Sequence, residues 1–154
     1  MLFDKKYDYI LYTDGAYSMK NDEGACAFVR LNGNYDEIQR KSYKIKNETN
    51  NRAELKAIIG GLWQITTWGK KVLVVTDSMY SINTLSGKWS RNANKDLFDM
   101  YDKMIDERRM DVEYKWVRGH SGDKYNEICD TMCVDVLGYD PKDEYAKYKK
   151  NKLL

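Results

Sequence analysis

Val72-Leu73-Val74-Val75-Thr76-Asp77-Ser78 decides the fold: an unbroken apolar run leads directly into an aspartate. A run that is apolar at every position reads as a strand buried on both faces, as in the parallel part of an α/β sheet. The same arrangement stands near the N-terminus in Tyr9-Ile10-Leu11-Tyr12-Thr13-Asp14-Gly15. Open α/β sheets place ligands beyond the carboxyl ends of their strands. Asp14 and Asp77, each read as lying just past such an end, therefore suggest a shared metal site. Either residue alone would read as an ordinary turn or helix-cap aspartate; the matched contexts set the pair apart.

Working outward, strands are expected over Tyr7 to Thr13, Gly24 to Leu31, Asp36 to Ile45 and Val112 to Val117, with Asn32-Gly33-Asn34 as a hairpin turn. Thr49-Asn50-Asn51 carries side chains that cap helices. The helix it opens spaces Leu55, Ile58, Ile59, Leu62 and Ile65 along one face and ends at Trp68-Gly69-Lys70. Further helices are expected over Met79 to Leu85, Asp96 to Arg108 and Lys124 to Leu137. Three strands, helix, strand, helices, strand, helix implies an α/β fold: a five-stranded mixed sheet with an antiparallel meander, parallel crossovers and flanking helices.

The 154 residues suffice for one domain, with residues 1–140 as the folded unit and 141–154 as a basic tail containing Lys147-Tyr148-Lys149-Lys150. A net charge of +2, from 26 Lys and Arg against 24 Asp and Glu, gives no overall field that proves a polyanionic partner, although local patches remain open. Cys26, Cys129 and Cys133 form no Cys-x-x-Cys pair, which argues against a disulfide framework or zinc ribbon and fits buried thiols in a reducing compartment. No stretch reaches membrane-spanning or signal-peptide length, so a cytoplasmic protein without membrane association is expected.

Two more acids join the aspartates. Glu54 lies in the first turns of the capped helix, and Asp130 follows Gly119-His120-Ser121-Gly122 and Asn126-Glu127-Ile128-Cys129. Taken singly, Glu54 would be the acid of an Asn51-x-x-Glu54 capping box and Asp130 a polar-face residue. Taken together, converging carboxylates repel unless a cation relieves them. Oxygen-only ligands favour Mg²⁺ or Mn²⁺ over zinc, and a pair of such ions suits phosphodiester hydrolysis.

These phrases resemble the type 1 ribonucleases H. The match comprises Thr13-Asp14-Gly15, Thr49-Asn50-Asn51-Arg52-Ala53-Glu54-Leu55, Thr76-Asp77-Ser78 and Trp116-Val117-Arg118-Gly119-His120-Ser121-Gly122 with Asn126 to Asp130, in the family's order. The resemblance implies a ribonuclease H-like fold and endonucleolytic cleavage of the RNA strand in RNA–DNA hybrids, leaving 5′-phosphate and 3′-hydroxyl ends. It implies that Asp14, Glu54, Asp77 and Asp130 hold two Mg²⁺ ions, with Mn²⁺ able to substitute. His120, on a Gly-flanked loop, would assist proton movement or product departure, with Glu127 at the same step. Gly15, Asn50 and Asn51 would contact the hybrid's minor groove, where the 2′-hydroxyl marks RNA. Thr49 with Asn21 would grip a DNA phosphate, and Trp89 would line the DNA channel.

Met79 departs from the pattern, because many members carry a polar residue there to reach a base edge. Ser90 to Lys95 is too short for the basic protrusion of some bacterial enzymes, which implies more salt-sensitive binding. The expectation is a monomeric, Mg²⁺-dependent ribonuclease H. The alternatives are a DNA nuclease on the same fold, a noncatalytic nucleic-acid-binding module, and the nuclease domain of a reverse transcriptase.

Overall fold

A computed structural model describes residues 6–119 and 121–141; His120 and most of the expected basic tail lie outside the described residues. The elements are β1 (Tyr9–Ser18), β2 (Glu23–Asn32), β3 (Glu37–Lys46), α1 (Asn50–Trp63), β4 (Lys71–Thr76), α2 (Met79–Leu85), α3 (Lys95–Arg108), β5 (Asp111–Trp116) and α4 (Lys124–Leu137). The strands form one sheet in the order β3-β2-β1-β4-β5. β1–β2 and β2–β3 are antiparallel, while β1–β4 and β4–β5 are parallel. This is the mixed five-stranded sheet expected from the sequence.

The pleat sends alternate residues to opposite layers. Leu11, Phe28, Val72 and Val74 pack under Leu55, Ile58 and Leu62 of α1 and Leu97, Phe98 and Tyr101 of α3. Ile10, Ala27, Val29 and Val75 face the other way, onto Cys129, Cys133 and Leu137 of α4. Both faces of the central strands are thus covered, which is why Val72 to Val75 needed to be apolar throughout.

Most boundaries fall within one or two residues of the sequence expectation, and two differ by more. β1 does not stop at Thr13: its parallel pairing with β4 ends at Tyr12↔Val75, but pairing with β2 continues through Asp14↔Ala27 to Ser18↔Glu23. Asp14 therefore sits inside a strand, just beyond the point where β4 leaves it. α1 ends at Trp63 rather than near Trp68, and Ile65 is buried in the following turn, where its N–H donates to Leu62 O at 3.0 Å. The hairpin turn is closed by Asn32, whose Oδ1 accepts from the N–H groups of Asn34 (2.9 Å) and Asp36 (3.1 Å). Tyr35, not Gly33, takes the left-handed conformation in this turn.

Phe98 is 2 % exposed and bridges α3 to the sheet. Phe98→Ala should cost about 3–5 kcal/mol through lost burial and a cavity, measured by denaturant unfolding. A loss below about 1 kcal/mol would mean that α3 packs differently.

Candidate active site

The site forms where the parallel strands end and the β1–β2 hairpin continues. Asp77 follows β4 directly, in a turn shaped by hydroxyls: Ser78 N–H donates to Thr76 Oγ1 at 3.1 Å, and Ser78 Oγ accepts from Ser81 N–H to cap α2. The Trp116 indole Nε1 donates to the Asp77 carbonyl at 3.1 Å, so the end of β5 holds the backbone at that residue. Gly119 closes the other side. A Cβ there would stand 2.8 Å from Asp77 Oδ2, so the β5–α4 connection approaches the carboxylate closely.

Glu54 reaches the site because α1 lies against β1 at Gly15. A Cβ on Gly15 would fall 2.3 Å from the Ala53 carbonyl carbon and 2.5 Å from Glu54 N, closer than real Cβ atoms approach backbone. The Cys26 thiol donates to Ala53 O at 3.3 Å from the neighbouring strand, fixing the same turn. The helix is capped by Thr49, whose Oγ1 accepts from Arg52 N–H at 3.2 Å. Glu54 therefore lies beyond the capping positions, and the Asn51-x-x-Glu54 box does not form; its carboxylate is directed to the site instead.

Asp14, Glu54 and Asp77 each bring a ligand oxygen to within 4.8 Å of the others. Asp14 is fully buried and Glu54 is 6 % exposed, while Asp77 opens the group toward solvent. At an effective dielectric near 20, two like charges at such a separation repel by about 3 kcal/mol. Three oxygen donors that repel one another suit a hard divalent cation and fit Mg²⁺ or Mn²⁺ by donor type. Asp130 lies outside this 4.8 Å trio. It stands on α4 between Cys129, whose thiol donates to Tyr12 O at 3.5 Å, and Cys133, whose thiol donates to Asp14 O at 3.6 Å. Its helix turn is therefore laid directly over the strand that carries Asp14.

The other residues singled out from sequence occupy distinct places. Asn50 and Asn51 open α1 and are exposed. Met79 opens α2 and is half exposed, as is Trp89 in the α2–α3 connection, whose N–H donates to Asn83 O. Asn21, in the β1–β2 turn, donates its backbone N–H to Ser18 Oγ at 3.2 Å. Glu127 Oε1 accepts from Gly122 N–H at 3.2 Å and so ties down the loop before α4. Arg52, Trp116 and Gly119 emerge as structural contributors. Their presence in the recurring phrases was the only sequence signal, because the contacts they make are distant along the chain.

Two buried carboxylates and a partly exposed third, gathered where the central strands β1 and β4 of a 3-2-1-4-5 mixed sheet part, define a candidate metal-dependent hydrolase. The RNase H family model matches residues 6–137. Ribonuclease H of Wolbachia pipientis is 33% identical over 146 residues, covering 86% of this chain and 97% of its own. Ribonuclease H of Caldicellulosiruptor saccharolyticus is 35% identical over 141 residues, covering 83% and 94%. Ribonuclease HI of Synechocystis is 32% identical, covering 85% and 88%. Among solved structures, the N-terminal ribonuclease H domain of a Mycobacterium tuberculosis protein superposes with a TM-score of 0.71 at 20% identity, covering 86% of this chain and 95% of that one. The chain belongs to the RNase H family, a family of hydrolases. Among the described residues, no helix is long and apolar enough to cross a membrane.

Burial pushes the Cys26 thiol up to about 12 and raises those of Cys129 and Cys133 further, with the Asp14 charge adding to the effect on the latter two. Thiolate is the reactive form. At pH 8 the folded protein should leave all three thiols unreacted toward a disulfide reagent and should release them together on unfolding; rapid labelling of any one in the native state would contradict this packing.

Proposed function

We propose that this chain is an endonuclease that hydrolyses the RNA strand of RNA–DNA hybrids with two Mg²⁺ ions, Mn²⁺ able to substitute, leaving 5′-phosphate and 3′-hydroxyl ends. The supporting observation is the convergence of Asp14, Glu54 and Asp77 within 4.8 Å in a member of the RNase H family. Asp14, Glu54 and Asp77, with Asp130 from α4, would hold the ions. When bound, such ions activate water and stabilise the leaving oxygen of a phosphodiester.

The chain's own residues do the rest. Asp14 and Glu54, fixed by burial, keep their oxygens in place before substrate arrives, so little reorganisation is needed during reaction. Asp77 lies on the solvent side, where a scissile phosphate would enter. Asn50 and Asn51, exposed at the start of α1, would present amide groups to the minor groove, and the Gly15 backbone would contact it as well. Thr49 and Asn21 would receive a DNA phosphate, although the Thr49 hydroxyl also accepts the α1 cap bond. Met79 would pack on sugar or base, and Trp89 offers an aromatic face to the DNA strand. His120 is assigned an auxiliary part in proton movement or product departure.

The deciding experiment presents one labelled strand as RNA–DNA hybrid, RNA duplex, DNA duplex or single-stranded RNA, with Mg²⁺ or EDTA. Cleavage of RNA only in the hybrid and only with metal is expected; cleavage of DNA, or binding without cleavage, would refute the assignment. Asp14→Asn and Asp77→Asn should each lower the rate at least roughly 10³-fold, and near-normal turnover by either would remove that residue from the ligand set. His120→Ala should remain measurably active, and complete loss would make the histidine essential.

A further inference from the structure

The reaction as proposed gives Arg52 no part, yet its guanidinium joins several elements around the site. Nε donates to Glu48 Oε2 at 2.5 Å, in the segment before α1. Nη1 donates to Asn94 Oδ1 at 3.3 Å and to Asp96 Oδ1 at 2.8 Å, and Nη2 to Asp96 Oδ2 at 2.8 Å, at the start of α3. Asn94 Nδ2 in turn donates to Tyr80 Oη at 2.8 Å, which extends the connection to α2. On one side of this network stand Thr49, Asn50 and Asn51. On the other stand Met79, adjacent to Tyr80, and Trp89, in the connection that ends at Asn94.

We propose that Arg52 is a positioning residue for substrate: it fixes the spacing between the Thr49–Asn51 surface and the Met79–Trp89 surface, so that both strands of a duplex are met at once. The inference rests on the hybrid reading above and adds a specificity element to it. A duplex is stiff and its strand separation is set, so two contact surfaces reinforce each other only if their spacing is fixed beforehand.

Direct binding of a phosphate by Arg52 fits the geometry less well. The guanidinium makes four hydrogen bonds to three side-chain partners and lies between two carboxylates, Asp96 and Glu48, the latter shared with Lys56, that offset its charge. Its hydrogen bonds draw the Asp96 carboxyl down to about 2, so the pair stays ionised throughout the working pH range. Nor is the network needed to hold the helices in the fold. Leu55, Ile58, Leu97 and Phe98 join α1 to α3 through the core. Glu54 has its own seat, through the contact of Gly15 with Ala53 and the Cys26 thiol, so disturbing Arg52 leaves the carboxylate trio in place.

The test compares wild type, Arg52→Lys and Asp96→Asn. Lysine keeps the charge but cannot grip Asp96 with two parallel bonds. In steady-state hybrid cleavage, Arg52→Lys should raise KM roughly 5- to 20-fold with kcat within about twofold, and its melting temperature should fall by only a few degrees. Asp96→Asn should raise KM in the same direction. This second variant is decisive, because a phosphate-binding Arg52 would bind substrate more tightly once a competing carboxylate is removed. An unchanged or lowered KM in Asp96→Asn, or an Arg52→Lys effect confined to kcat, overturns the proposal. Fluorescence anisotropy of a labelled hybrid in EDTA measures affinity without catalysis and keeps the two claims apart. If wild type binds but does not cut, the nuclease reading fails while the same ordering of affinities still supports the clamp; equal affinities in all three proteins refute it.

Discussion

Residue 15 has no side chain, and the site depends on that. α1 crosses β1 so closely that even a methyl group would overlap the backbone of Ala53 and Glu54. The approach carries Glu54 into reach of Asp14 and, past the end of β4, of Asp77. Van der Waals repulsion is steep and the surrounding layer is close-packed, so a shift of the helix by even part of an ångström would pass directly to the carboxylate. The buried thiols of Cys26 and Cys133 act in the same region, donating to Ala53 O and Asp14 O and filling space beside the backbone that carries Glu54 and Asp14 without adding charge.

That seat makes electrostatics matter. Three carboxylates gathered where β1 and β4 part repel, and the repulsion favours any divalent ion that can enter. The fold supplies the opposing rigidity: Asp14 lies in a strand paired with β2 beyond the end of β4, Glu54 is on a helix capped by Thr49, and Asp77 is held at its carbonyl by Trp116. Each of these restraints acts on the backbone or the helix that carries the carboxylate.

The apolar runs at Val72 to Val75 and Tyr9 to Leu11 made the sheet legible, and Thr49-Asn50-Asn51 the start of α1. In the structure Ser78 and Asp123 cap α2 and α4 through their side chains, and Gly138 ends α4 in a left-handed conformation. β1 was harder to delimit because Asp14-Gly15 breaks the apolar pattern. The strand continues there for a non-local reason: β2 keeps pairing after β4 has turned away. α1 was overestimated because Ile65 keeps the helical spacing of buried residues although the helix has already ended. Glu54 was legible as a ligand candidate only through its company. Its local context also suits a capping box, and only the placement of Thr49 as the cap separates the two. Arg52 could not be read at all, since Asn94 and Asp96 lie 42 and 44 residues away in sequence.

Two different devices thus govern one helix. The buried end of the first turns, at Ala53 and Glu54, is fixed by a steric contact that tolerates almost no displacement. The exposed end, from Thr49 to Arg52, is held by charged hydrogen bonds that are strong when paired side by side but open to water. The division matches what each end would meet under the proposed function. Ligand oxygens need sub-ångström placement in a buried site, and close packing provides it. A surface facing a polyanion needs exposed donors, yet it also needs its own charges balanced before substrate arrives. Glu48 and Asp96 together balance Arg52 and Lys56, and beside them the neutral amides of Asn50 and Asn51 are exposed. The same motif therefore carries a carboxylate fixed by steric contact and an exposed edge fixed by charged hydrogen bonds, with only Ala53 between them.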